Sequence, residues 1–170
     1  MLTSGTGAAH TWHDDPAVWR FVLGRYLTVF ALLNLLWEIA QLPLYTLWRE
    51  APPAFIAYAV IHCTLGDVLI GVLALLAALV ATRAGRLRQW CWRRTGAVAI
   101  AFGFAYTAFS EWLNTAVWAN WAYSEWMPLT PFVPLGVSPL LQWLVVPAAA
   151  LIWARRHHAS GAPYGNRGSA

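Results

Sequence analysis

The sequence predicts an all-α, polytopic membrane protein: a four-helix bundle with both termini in the cytoplasm. Three observations predict it. Of the 170 residues, 59% are hydrophobic and only 11% charged, with a mean hydropathy of +0.51, whereas a soluble domain has about a quarter of its residues charged. Four stretches each reach the roughly 20 predominantly apolar residues that one crossing of the hydrocarbon core requires. The arginines, finally, fall at or near the ends of those stretches, with a bias toward one side.

Taken in order, residues 1–17 read as a flexible polar tail. Residues 1–16 carry no Arg or Lys, and the first apolar run is far longer than the apolar core of a signal peptide, about 7–15 residues, so no cleaved signal is expected. A transmembrane domain over 18–156 follows, with spans at about 21–48, 54–82, 96–118 and 137–154. Between the last two spans, Pro128, Pro131, Pro134 and Pro139 rule out a helix. The three-residue spacing of the first three suits a polyproline II segment, and its aromatic and aliphatic residues are expected to lie over the outer mouth of the bundle as a cap. Pro43 and Pro147 offer local breaks in spans one and four. Residues 157–170 read as a disordered tail. His10, His13, Asp14, Asp15, His157 and His158 are expected to be solvated tail residues.

With both tails inside, Arg20, Arg25, Arg83, Arg86, Arg88, Arg93, Arg94, Arg155, Arg156 and Arg167 collect on the cytoplasmic side and Arg49 alone lies outside, the asymmetry of the positive-inside rule. This reads as a bacterial inner-membrane protein. Trp19, Trp90, Trp92 and Trp153 are expected at the inner interface, and Trp48, Trp118, Trp121 and Trp126 at the outer one. The pI near 9.5 is thus a topology signal, and no nucleic-acid partner is expected. Lys is absent, which excludes a Schiff-base lysine and with it retinal or pyridoxal-phosphate chemistry. Cys63 and Cys91 should sit at different depths, too far apart to bridge.

Three acids interrupt the apolar spans: Glu38, Asp67 and Glu111, with His62 in the same stretch as Asp67. A charge at the bilayer centre costs roughly 2.5–3.5 kcal/mol on the gentlest insertion scales. The acids must therefore be protonated, paired or clustered. On a helix, Asn34, Glu38, Gln41 and Tyr45 fall at i, i+4, i+7 and i+11 and form one stripe; Thr107, Ser110, Glu111 and Asn114 form another, with Trp118 one turn on. Lipid cannot satisfy such stripes, so they should turn inward. At about 1.5 Å per residue, Glu38, Asp67, Glu111 and Gln142 land at one level in the outer half of the bilayer, with His62 and Asn114 slightly above. Trp37, Trp112 and Trp143 stand beside three of them. His62 is turned about 140° from Asp67 at 100° per residue, so their faces do not coincide.

A polar centre walled by indoles suits a largely apolar small molecule, an isoprenoid or lipid taken from the membrane. Glu111 and Glu38 are read as a proton-handling pair, His62 and Asp67 as modulators, and Asn34, Asn114, Gln142 and Gln41 as orienting groups. Two alternatives share these residues. One is a structural or assembly subunit whose polar core docks a membrane-protein partner, or a second copy. The other is an intramembrane metal-binding protein using His62 with the acids as ligands, although no tight spacing motif supports it and no metal ligand is assigned. No cofactor is identified.

The pattern of Glu111 with Asn114, His62, and Gln142–Trp143 ahead of Pro147 resembles the emopamil-binding, sterol-isomerase-like (EXPERA) four-span membrane proteins. The resemblance spans helices two to four. It implies acids and a polar–Trp pair lining a lipid-accessible cavity, where proton transfer shifts a sterol double bond. The chain departs from that pattern in two respects: no Glu follows His62 by one turn, and the acids are distributed differently over the helices.

Overall fold

The computed structural model describes residues 11–159; His10, Arg167 and most of the two expected tails lie outside the described residues. Four helices are long and apolar enough to cross a membrane: α1 (Pro16–Leu44), α2 (Pro53–Ala81), α3 (Trp92–Val117) and α4 (Val137–Ala159). Among the described residues there is no strand, only the isolated bridges Tyr45–Tyr123 and Leu129–Gly136. α1 packs on α2 and α4, and α3 packs on the same two helices, which closes a ring. The four-helix bundle read from the sequence is therefore the fold.

Both ends of the described chain and the 82–91 connection lie at one end of the bundle, which carries every described arginine except Arg49 at or near it. Between the helices, this arginine end is filled with side chains. Phe21, Tyr26, Phe30, Leu75, Leu79, Leu87, Ala150 and Ala154 are buried there in one apolar cluster that extends up to Trp143. Two glycines let the helices close on it. A Cβ on Gly71 would overlap the ring of Phe30, and one on Gly103 would overlap the indole of Trp143, so each aromatic lies directly on a neighbouring backbone. Trp90, expected at the interface, is buried against Phe21 and Trp92 and donates its indole N–H to the Gly85 carbonyl.

Several expected boundaries move, each for a physical reason. α1 starts at Pro16, because Asp15 caps it: the carboxylate accepts from the N–H of Ala17 at 2.9 Å and of Leu87 at 3.0 Å, satisfying an orphan donor of the first turn and tying α1 to the 82–91 connection. Burial pushes the Asp15 carboxyl up, but those two N–H groups, with Arg86 and Arg20, together hold it below its ordinary range. Trp12–Asp14 form a short 3₁₀ turn whose Trp12 packs on the core, so this part of the expected tail is ordered. At the other end α1 tightens into 3₁₀ geometry at Leu42–Leu44 and stops, since Pro43 lacks the N–H a helix needs. Tyr45 is extended, and the expected continuation to Trp48 becomes a separate turn, Leu47–Glu50. Pro147, in contrast, leaves α4 unbroken.

The proline-rich loop is not an extended polyproline segment. Thr130 N–H donates to Leu135 and Val137 N–H to Pro128, while the Thr130 hydroxyl donates to the Val133 carbonyl, folding 128–137 into a compact turn. Backbone bonds between residues give this turn an energy that solvated polyproline lacks. Phe132 stands at its tip, 96% exposed. The segment that does close over the bundle is 121–126. Ser124 N–H donates to Leu44, Thr46 N–H to Ala122, and the Ser124 hydroxyl to the Pro43 carbonyl. On its outer side Arg49 pairs with Glu125 at 2.9 Å and stacks over Trp126.

Candidate functional site

Between the packed core and the 121–126 segment the four helices surround a cavity of about 410 Å³, whose lining includes all three intramembrane acids together with Gln41, His62, Asn114, Gln142 and Trp143. Trp143 belongs to both regions, since it packs on Gly103 and Phe30 below and lines the cavity above.

One carboxyl centre forms where α1, α2 and α4 meet, and Gln142 is its hub. The Gln142 Nε2 lies 2.8 Å from Asp67 Oδ2, 2.9 Å from Asn34 Oδ1 and 3.1 Å from Glu38 Oε1. Gln41 donates to the same Glu38 oxygen at 2.8 Å. Its own carbonyl accepts from the Ser138 hydroxyl at 2.9 Å, and that hydroxyl accepts from the Trp37 indole at 3.2 Å. Helical periodicity brings these groups together: Asn34, Glu38 and Gln41 share one face of α1, and Ser138 and Gln142 one face of α4. Glu38 and Asp67 thus flank one amide group, each with a carboxyl oxygen within 3.1 Å of Gln142 Nε2.

The second centre is Glu111, 7% exposed. The hydroxyl of Tyr123, reaching in from the closing segment, donates to Glu111 Oε2 at 2.5 Å, and the Trp121 indole N–H lies buried beside the same carboxyl without good hydrogen-bond geometry. Beyond the spans, burial and the Glu111 charge both push the Tyr123 phenol above its ordinary range, so it stays a donor. α3 loosens just past Glu111 into a π turn at Leu113–Val117, and the Thr115 hydroxyl donates to the Glu111 carbonyl. Asn114 donates to the Ser110 carbonyl and accepts from Asn120 at 2.7 Å.

The sequence-derived residues divide into three sets. Glu38, Gln41, His62, Asp67, Glu111, Asn114, Gln142 and Trp143 line the cavity. Asn34 and Trp37 stand behind it and hold the Gln142 and Ser138 groups in place. Trp112 is not in the lining: one residue past Glu111 on a helix turns it about 100° away, and it is 43% exposed. Trp118 is likewise exposed. On α2 the lining is a band broader than a stripe. Phe55, Ala59, Cys63, Gly66 and Ile70 run down its middle, with His62 on one edge and Asp67 on the other. His62 is exposed and stacked on Tyr58 at 5.6 Å between ring centroids.

The metal alternative loses its donor set, since among the described residues no group of three or more His, Cys, Asp or Glu side chains is placed to hold an ion. Tyr123 and Trp121 escaped the sequence reading because they lie in a loop without periodicity. Ser138 was legible: it stands four residues before Gln142, on the same face.

Fold and composition together define a multi-pass integral membrane protein. Comparison with known proteins gives no family: no family model matches the chain, and neither does any curated protein or solved structure.

Proposed function

We propose that the chain binds a hydrophobic small molecule, isoprenoid- or lipid-like, in the cavity and transforms it by proton transfer between Glu111 and Glu38. One observation carries this reading: two separately built carboxyl centres, Glu38–Asp67 and Glu111, face one cavity lined otherwise by apolar, aromatic and neutral polar groups, with no arginine. A carboxyl held by a donor on one side and open to a cavity on the other suits a general acid or base. In this reading Glu38, beside Asp67 on the Gln142 amide, is the acid, and Glu111 on Tyr123 is the acceptor across the cavity. His62 and Asp67 modulate this pair, and Asn114, Gln41 and Gln142 orient the bound molecule. The resemblance to sterol-isomerase-like proteins rests on the same residues and suggests a double-bond shift as the reaction class.

Mass spectrometry of small molecules co-purifying with the detergent-extracted protein tests this directly. A hydrophobic compound should be retained and lost, or left unconverted, in Glu111→Gln and Glu38→Gln at unchanged thermal stability. A protein that carries nothing and is altered by these substitutions in stability alone would point instead to an assembly subunit.

The arginine distribution supports a cytoplasmic location for the arginine end and, with it, insertion in an inner membrane. Cys91 is exposed at that end while Cys63 is half-buried within α2. A membrane-impermeant thiol reagent should therefore label Cys91 in inside-out vesicles and leave it unlabelled in intact cells.

A further inference from the structure

One wall of the cavity is thin. Phe55 and Tyr58 on α2 and Tyr106 on α3 are each more than half exposed, yet all three line the same cavity as the buried Glu111 and Gln142. His62 is exposed as well, stacked on Tyr58. Side chains that are at once cavity wall and outer surface leave at most one side chain between the cavity and that surface. The thin part of the wall therefore runs along α2 and α3, on the face that lipid covers. Toward water the route is different: residues 121–126 lie across that end, stitched to 43–49 by backbone hydrogen bonds and by the Arg49–Glu125 pair.

The polar wall restricts what can enter. Its charged or chargeable oxygens belong to Glu38, Asp67 and Glu111, and no arginine is among the lining residues. A phosphate or carboxylate head would meet like charge in a low-dielectric site, a juxtaposition that disfavours binding. A hydroxyl head would find acceptors instead.

Resting on the acid-cavity reading above, we infer that the cavity is loaded sideways from the bilayer through an opening between α2 and α3 and takes a neutral, hydroxyl-headed amphiphile. The hydroxyl lies among the three carboxyls and the chain passes out between Tyr58 and Tyr106. His62 stands at the threshold, where its ring can donate to the hydroxyl as it passes.

The test uses the full chain in lipid nanodiscs with two probes, farnesol and farnesyl diphosphate. Farnesol is expected to bind at least about tenfold tighter than the diphosphate. The pair Tyr58→Trp with Tyr106→Trp, which narrows the opening, should slow farnesol association severalfold. Leu36→Trp, which adds the same bulk on an exposed lipid-facing position of α1, should leave it unchanged. A diazirine-bearing prenyl alcohol on the unmodified chain should crosslink to peptides containing Tyr58, His62 or Tyr106, so the result does not depend on how the variants fold. Farnesol binding with unaltered rates in the narrowed variant and crosslinks elsewhere would overturn the side entrance while leaving the acid-cavity reading intact. Equal affinity for the diphosphate would overturn the choice of head group. No binding of either probe, with nothing co-purifying, would remove the underlying reading as well.

Discussion

At the arginine end, Phe21, Phe30, Leu75 and Leu79 fill the space between the helices with side chains that are at most 1% exposed. A few turns away, the same four helices enclose about 410 Å³ walled by three acids, amides and tyrosines. Two physical regimes share one bundle. The lower half gains its stability from dispersion contacts at close packing, where lipid tails offer no hydrophobic driving force between helices and small residues must let backbones approach. The upper half is held by hydrogen bonds between side chains and by a loop sewn to α1. The junction is Trp143, which closes the floor of the cavity and packs on the core beneath. A hollow polar site inside a membrane is tolerable when something rigid stands directly under it.

This contrast can be broken from either side. The largest effect is expected from Phe30→Ala, which empties the core beside Gly71 and should lower stability by about 3–5 kcal/mol, read as a shift in the denaturant or thermal unfolding midpoint. Gly71→Ala or Gly103→Ala drives a methyl into the ring of Phe30 or Trp143 and should cost about 1–3 kcal/mol; a neutral result for both would mean that the core is not close-packed. In the hollow half, Gln142→Leu removes the donor shared by Asn34, Glu38 and Asp67 and should cost about 1–3 kcal/mol through unpaired acceptors. Replacing Glu38, Asp67 and Gln142 together by apolar residues should recover part of that loss, since of the three acceptors only Asn34 Oδ1 is then left without its donor.

A smaller effect, about 1 kcal/mol, is expected for Asp15→Ala, which deletes an N-cap. The pH dependence has a definite sign. Asp15 is held below its ordinary range in the folded chain, so its contribution is present above the ordinary aspartate value and is lost as the pH falls through the folded one. In Asp15→Ala that portion of the acid-induced loss should vanish. Smallest of all is Arg49→Ala, which breaks an exposed pair with Glu125. It should leave unfolding unchanged within error while raising the exchange rate of the Ser124 and Thr46 amides, if the pair steadies the closing segment.

Much of this was legible in the residues. Helix number, the inward stripe of Asn34, Glu38 and Gln41, and the common level of the acids all follow from a period of 3.6 residues and a bilayer of fixed thickness. Tyr45 shows the limit: it was placed on that stripe by extending the helix, whereas Pro43 ends the helix first and delivers Tyr45 to the cavity as extended chain. Tyr123 was beyond reach, because a loop residue has no periodicity and its contact with Glu111, twelve positions back, crosses a π turn and the irregular backbone after Val117. Trp112 was placed by depth alone, and depth does not specify direction.

By itself, then, the sequence determined what lipid enforces: how many helices cross, that their polar groups turn inward, and at what height those groups lie. Lipid acts on each helix separately, so those outcomes need only local information. Which groups touch was decided by tertiary structure. The convergence of Asn34, Glu38 and Asp67 on Gln142 and the reach of Tyr123 to Glu111 depend on how helices rotate against one another. That rotation is set by packing at Gly71 and Gly103, where the shape of one helix meets the shape of the next.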